Sequence, residues 1–287
     1  MINIKIITII LIILGFIVFI SLIGFLLYIR PPRMHTDVMP SDFNLKYENI
    51  SFKTKDRLTL RGWFIPSEHS NATIIVGHGF PFDKNNVLPV TKFLNKHYNL
   101  LYYDFRYFGE SEGAYTTISY KEQQDLLEAI DYLKKKKNVN SIGLYGFSMS
   151  AATFLLIDSK DIKAIVADSS YSSLYDVTKV AYRIFPGFLK YPFVWTTLFF
   201  AKLFLGINAL EVSPKENVKS LNMPILLIHG TEDEEIPVEH SKILHKNAPN
   251  SELWLIEGAG HGMSYSKNPK EYEKRVMDFF DEHLLNK

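Results

Sequence analysis

Ser141-Ile142-Gly143-Leu144-Tyr145-Gly146-Phe147-Ser148-Met149-Ser150-Ala151-Ala152 is the stretch on which the fold turns. Its first five residues form a short apolar run of strand type. From Ala151 through Thr153-Phe154-Leu155-Leu156-Ile157 the chain reads as the start of a buried helix. A serine at a sharp strand-to-helix turn, with a small residue two places before it, has the form of a nucleophile elbow. Such a turn forces unusual backbone angles, so the neighbours must be small. In return the hydroxyl stands exposed above the sheet edge, and the first amides of the helix point at whatever the serine attacks. The pattern usually ends in Gly; here Ser150 takes that place.

Two further loops complete the pattern. Pro224-Ile225-Leu226-Leu227-Ile228 is strand-like and runs into His229-Gly230-Thr231-Glu232-Asp233-Glu234-Glu235-Ile236-Pro237. Leu253-Trp254-Leu255-Ile256 is another strand, followed by Glu257-Gly258-Ala259-Gly260-His261-Gly262. The chain order is therefore Ser…Asp…His. A serine hydroxyl is a poor nucleophile until a neutral imidazole takes its proton, and a carboxylate on the far ring nitrogen fixes the tautomer. Ser148, Asp233 and His261 are the candidates for these roles. Asp168, at the end of another apolar run, is a rival for the carboxylate. His78 and His229 lie in strand-end turns and read as structural.

The apolar runs Thr73–Val76, Leu100–Asp104, Ile142–Tyr145, Ala164–Ala167, Ile225–Ile228 and Leu253–Ile256 alternate with helical patterns. This predicts an α/β fold with a mostly parallel central sheet covered by helices on both faces. Two earlier strands, Tyr47–Lys53 and Leu58–Ile65, alternate in polarity and suit an antiparallel hairpin at the sheet edge. Ile6 to Ile29 is free of charge over 24 residues. As a helix it spans about 36 Å, enough for a bilayer core of roughly 30 Å. It lacks the short apolar core and small-residue cleavage site of a cleaved signal, so the expectation is a retained N-terminal transmembrane anchor over 1–30 and a Pro-containing linker over 31–45. Lys5 on one side and Arg30 and Arg33 on the other leave the sidedness open.

The 32 basic and 31 acidic residues nearly cancel, which gives no field for nucleic acid. The run Lys134–Lys137 ends a helix expected from Tyr120 and suits the dipole there. With no cysteine, a thiol nucleophile, disulfides and thiolate metal sites are excluded. The sequence carries no metal-binding, phosphate-loop or dinucleotide motif, so no metal or organic cofactor is expected.

The chain resembles the α/β-hydrolase superfamily, and more narrowly its membrane-anchored, serine aminopeptidase-like branch. The resemblance covers 46–287 and rests on Gly77-His78-Gly79-Phe80, Asp104–Gly113, Gly146–Ser150, His229-Gly230…Asp233…Pro237 and Gly260-His261-Gly262. It implies that Asp233 rather than Asp168 is the acid, and that Asp104–Gly113 braces its strand. It also implies oxyanion-hole donors at the backbone N–H groups of Phe80 and Met149, and a lid insert over 170–214. Tyr182 to Phe204 in that insert carries nine aromatics. They either bury as helix core, or line an acyl pocket or touch a bilayer. The expected activity is serine hydrolysis of an ester or thioester, with a small-molecule or lipid-like acyl group as substrate. The alternatives are a peptidase acting on short peptides and a silent hydrolase fold used as an interaction protein.

Overall fold

A computed structural model describes residues 4–68 and 71–285. The ends of the expected anchor and catalytic segments, 1–3 and 286–287, lie outside the described residues, as do 69–70. The first described element is helix α1, Ile4–Ile29, which contains an 18-residue window of mean hydropathy 3.3. The hairpin β1 (Glu48–Lys53) and β2 (Thr59–Ile65) follows, then β3 (Thr73–Gly77), α2 (Lys84–Thr91) and β4 (Asn99–Tyr103). Next come α3 (Glu122–Lys137), β5 (Ile142–Phe147), α4 (Met149–Phe154) and β6 (Ile162–Asp168). Between β6 and β7 the insert holds α5 (Leu174–Ala181), α6 (Tyr191–Leu205) and the single turn α7 (Pro214–Asn217). The chain ends with β7 (Ile225–Gly230), α8 (Glu239–Asn247), β8 (Ser251–Ile256), the turn α9 (Ser264–Lys267) and α10 (Pro269–Leu284).

Among the described residues the eight strands make one sheet in the order β1-β2-β4-β3-β5-β6-β7-β8. Only the pairs β1–β2 and β2–β4 are antiparallel; the rest are parallel. Strands covered on both faces need apolar side chains at every position, and β3 and β4 are buried throughout. Leu126, Ile130 and Leu133 of α3, Phe154 of α4 and Leu244 of α8 cover one face. Val87 and Leu88 of α2 with Tyr272, Val276, Phe279 and Phe280 of α10 cover the other. The spacing i, i+4, i+7, i+8 in α10 is one helical stripe, and Asn268 caps its start by accepting from Glu271 N–H.

Asp104–Gly113 is a dense brace. Asp104 accepts from the buried Lys84 Nζ at 2.8 Å and from Glu110 N–H at 3.0 Å, while Ser111 donates to Asp104 O at 2.7 Å. Arg106 pairs with the buried Asp125 at 2.6 Å. Residues 31–45, read as a linker, lie along the domain. Tyr107 Oη donates to Pro31 O at 2.6 Å, the Arg33 guanidinium donates to the carbonyls of Ser111 and Gly113, and Thr36 N–H donates to Asp83. Helix α1 also packs on the domain from its middle to its C-terminal end. Phe16 meets Phe193, Phe25 meets Phe200 and Phe204, and Ser21 Oγ donates to Phe193 O at 3.2 Å. A Cβ at Gly24 would come within 2.7 Å of Tyr182 Oη, so a larger residue there would push the Tyr182 ring aside.

Candidate active site

Strand β5 ends in Ser148, whose φ of 54° and ψ of −110° lie where non-glycine residues are rare. The neighbours hold it there. A Cβ at Gly146 would sit 2.6 Å from the Ala151 backbone, and Ser148 N–H donates to Asp168 O at 2.8 Å. Ser150 replaces the usual glycine without strain because Gly77 leaves it room: a Cβ on Gly77 would fall 2.4 Å from that of Ser150. The Ser150 hydroxyl accepts from Phe147 N–H at 2.8 Å and donates to Phe147 O at 2.9 Å.

Loops after β7 and β8 bring the other two candidates to this turn. Ser148 Oγ lies 3.1 Å from His261 Nε2, and His261 Nδ1 lies 2.7 Å from Asp233 Oδ2. The carboxylate holds the proton on Nδ1, so Nε2 is free to accept from the serine. The other Asp233 oxygen accepts from Ile236 N–H at 2.7 Å and Glu235 N–H at 3.0 Å. Burial alone would raise the Asp233 pKa. The hydrogen bonds of His229 and His261 and the charge of His261 outweigh it, holding the carboxyl well below the usual carboxylate range. Burial pulls His261 down, but its hydrogen bond to Asp233 and the charge of Asp233 leave it above the ordinary imidazole value.

The rival acid points elsewhere. Asp168 accepts from Tyr272 Oη at 2.7 Å, Ser169 Oγ at 2.9 Å and Ser264 Oγ at 3.1 Å. Burial pushes its carboxyl up despite these donors. His78 is a buried pin: Nδ1–H donates to Gly79 O at 2.9 Å and Nε2 accepts from Phe105 N–H at 3.1 Å. His229 donates from Nε2 to Ile236 O at 2.7 Å and lies 3.4 Å from Asp233, so it also steadies the acid loop, a structural role. Met149 opens α4, where its N–H has no intrahelical acceptor. Gly79, which precedes Phe80, packs so close that a Cβ there would lie 3.4 Å from Ser148 Cβ.

A cavity of about 470 Å³ includes Ser148, Met149, Phe80 and His261 in its wall. The remaining lining is mostly apolar, with Leu174 and Val177 from α5 and Leu198, Ala201 and Leu205 from α6. The lid aromatics divide, some buried as the core expectation has it and others exposed. Tyr182, Phe193 and Phe200 are buried, whereas Phe188, Trp195, Phe199 and Phe204 face outward. Of the nine, only Tyr182 reaches the cavity; the lining side chains of α6 are Thr197 and aliphatics. Phe25, Tyr28 and Ile29 of α1 also line it, and sequence reasoning placed no part of that helix at the site. Their one signal is Ser21 and Gly24, small residues on the face where α1 approaches the domain.

Helices on both faces of a mainly parallel sheet, with a serine, a histidine and an aspartate on loops at strand C-terminal ends, define an α/β hydrolase. Residues 46–186 match the family described as X-Pro dipeptidyl-peptidase (S15 family), and residues 207–286 match the family described as TAP-like protein. The uncharacterized protein YqkD of Bacillus subtilis is 33% identical over 234 residues, 77% of this chain and 75% of that one. An uncharacterized membrane protein of Saccharomyces cerevisiae is 24% identical over 78% of this chain and 76% of its own length. An esterase of Pyrococcus furiosus superposes with a TM-score of 0.73 at 29% identity, covering 90% of this chain and 98% of the esterase. The chain belongs to the α/β-hydrolase superfamily, and is a hydrolase with esterase and peptidase-like relatives.

Proposed function

We propose that this chain is a membrane-anchored serine hydrolase that cleaves carboxylic esters or thioesters of apolar acyl groups through an acyl-enzyme. The observation that carries this reading is the hydrogen-bonded series Ser148–His261–Asp233 opening on an apolar cavity. His261 Nε2 takes the proton as Ser148 Oγ attacks the substrate carbonyl. The N–H groups of Phe80 and Met149 receive the oxyanion, each contributing about 2.7–4 kcal/mol in comparable sites. Collapse breaks the ester bond, and His261 returns the proton to the leaving alcohol or thiol. Water, deprotonated by His261, then attacks the acyl-enzyme and releases the acid and Ser148.

Anchoring is supported by α1, which is charge-free from Ile6 and whose last turns pack on the domain, as a cleaved leader's would not. The yeast relative described as a membrane protein agrees with it. A second reading, cleavage of short peptides, is favoured by the match of residues 46–186 to a peptidase family. The test is fluorophosphonate labelling and hydrolysis of p-nitrophenyl acetate by the full chain in mild detergent, beside a panel of aminoacyl amides. Ser148→Ala should abolish both labelling and ester turnover. Retention of more than a few per cent of turnover would assign the nucleophile elsewhere, and faster amide than ester cleavage would favour the peptidase.

A further inference from the structure

The cavity that holds Ser148 and His261 is closed on one side by the apolar N-terminal helix. Phe25, Tyr28 and Ile29 stand at i, i+3 and i+4, one face of α1, and all three line it. Tyr28 stacks on Phe80 at 5.9 Å between ring centroids and an interplanar angle of 17°. The helix is fixed in this place from both directions. Toward its middle, Ser21 bonds Phe193 and Gly24 abuts Tyr182. At its end, Thr116 N–H donates to Ile29 O at 2.9 Å. Ala201 and Leu205 of α6, which pack against Phe25 and Ile29, line the same cavity, as do Leu198 of α6 and Val177 of α5.

We infer that α1 is a wall of the acyl-binding site as well as a tether, and that Phe25 and Tyr28 set the length of acyl chain the enzyme prefers. The inference rests on the serine-hydrolase reading above. The ligand is the single acyl chain of an ester, laid in the cavity that α1 lines together with α5 and α6, with its carbonyl at Ser148. The mostly apolar lining favours methylenes over a charged or hydroxylated chain. An acetyl group is too short to use the wall, whereas an octanoyl group can.

The experiment measures kcat/KM for p-nitrophenyl octanoate over acetate in the full chain in mild detergent. Phe25→Ala and Tyr28→Ala should each lower the ratio about tenfold, the loss of contact with two methylenes. Tyr28→Phe, which keeps the ring, should stay within twofold of wild type. So should Leu27→Ala, whose side chain is on the exposed face. Should either alanine variant fail to fold, Ile29→Phe adds volume to the same wall and should shift the preference toward shorter chains. Ratios within twofold of wild type across these wall variants overturn the inference, and a parallel fall on both esters in a folded variant is such a result. Failure of the underlying reading is seen separately, in a wild-type chain that takes no fluorophosphonate or in turnover that survives Ser148→Ala.

Discussion

Two carboxylates lie at or beyond strand ends near Ser148, and their partners separate their roles. Asp233 faces the imidazole, whereas Asp168 is taken up by three hydroxyl groups. Asp233→Asn should therefore lower kcat/KM by up to about 10⁴-fold, as amidating the orienting acid does in a serine protease. Asp168→Asn should cost less than about tenfold in rate but about 1–3 kcal/mol in stability, because an amide cannot accept from all three donors. The reverse ranking in paired kinetics and thermal melts would move the acid to β6. The pH profile follows from His261. Only its neutral form can take the serine proton, and Asp233 raises its pKa above the ordinary value near 6.5. Hydrolysis of a neutral ester should thus rise with pH along a limb whose midpoint lies above about 6.5. In Asp233→Asn the raising partner is gone and the midpoint of the residual activity should fall; an unmoved midpoint would detach the limb from His261. The close fit of Gly77 and Ser150 makes a third test. Gly77→Ala should cost about 1–3 kcal/mol by overpacking, and Ser150→Gly in the same chain should relieve part of it. Phe154, 2.7 Å from the new Cβ, keeps the relief incomplete. Strictly additive melting shifts would mean that the two positions do not share the space.

Elements differ in how far the sequence announces them. β3 was expected over Thr73–Val76 and runs Thr73–Gly77; β5 was expected over Ile142–Tyr145 and runs Ile142–Phe147. Parallel strands buried on both faces write themselves as unbroken apolar runs, so their positions are legible and only their ends drift. Helix α3 starts at Glu122 rather than Tyr120, because Thr116 and Thr117 bind the Glu122 carboxylate and the preceding residues form the turn. Ser148, Asp233 and His261 were legible because each sits just after such a run, within a short motif. The lid was not. Helix α6 is apolar on every side, packing on α1 with Phe193 and Phe200 and exposing Trp195, Phe199 and Leu203. A pattern without a polar face carries no information about direction. Tyr28 was equally silent, since its contact with Phe80 joins residues far apart in the chain and leaves no local period.

At the scale of the whole molecule, the N-terminal helix, the lid and the sheet meet around one cavity. Removing residues 1–30 should leave a chain that still takes a fluorophosphonate, because Ser148, Asp233, His261 and both amides belong to the rest of the protein. Its octanoate-over-acetate ratio should fall about tenfold, and it should need detergent to cover Phe200 and Leu205, which α1 packs against. If no detergent preserves labelling, α1 is required for the fold itself. The contacts that seat residues 29–36 carry one more consequence. Ile29, Pro31, Arg33 and Thr36 are each bonded to the body of the protein, so the chain leaves α1 without a swivel. On the proposed reading, in which α1 spans a bilayer, the last turn of its apolar run would mark the edge of the hydrocarbon, and the serine would be held a constant distance from that edge. The enzyme would then behave as a depth gauge: a scissile bond lying deeper in the leaflet, or carried farther into water, would be missed however well its chain would fit.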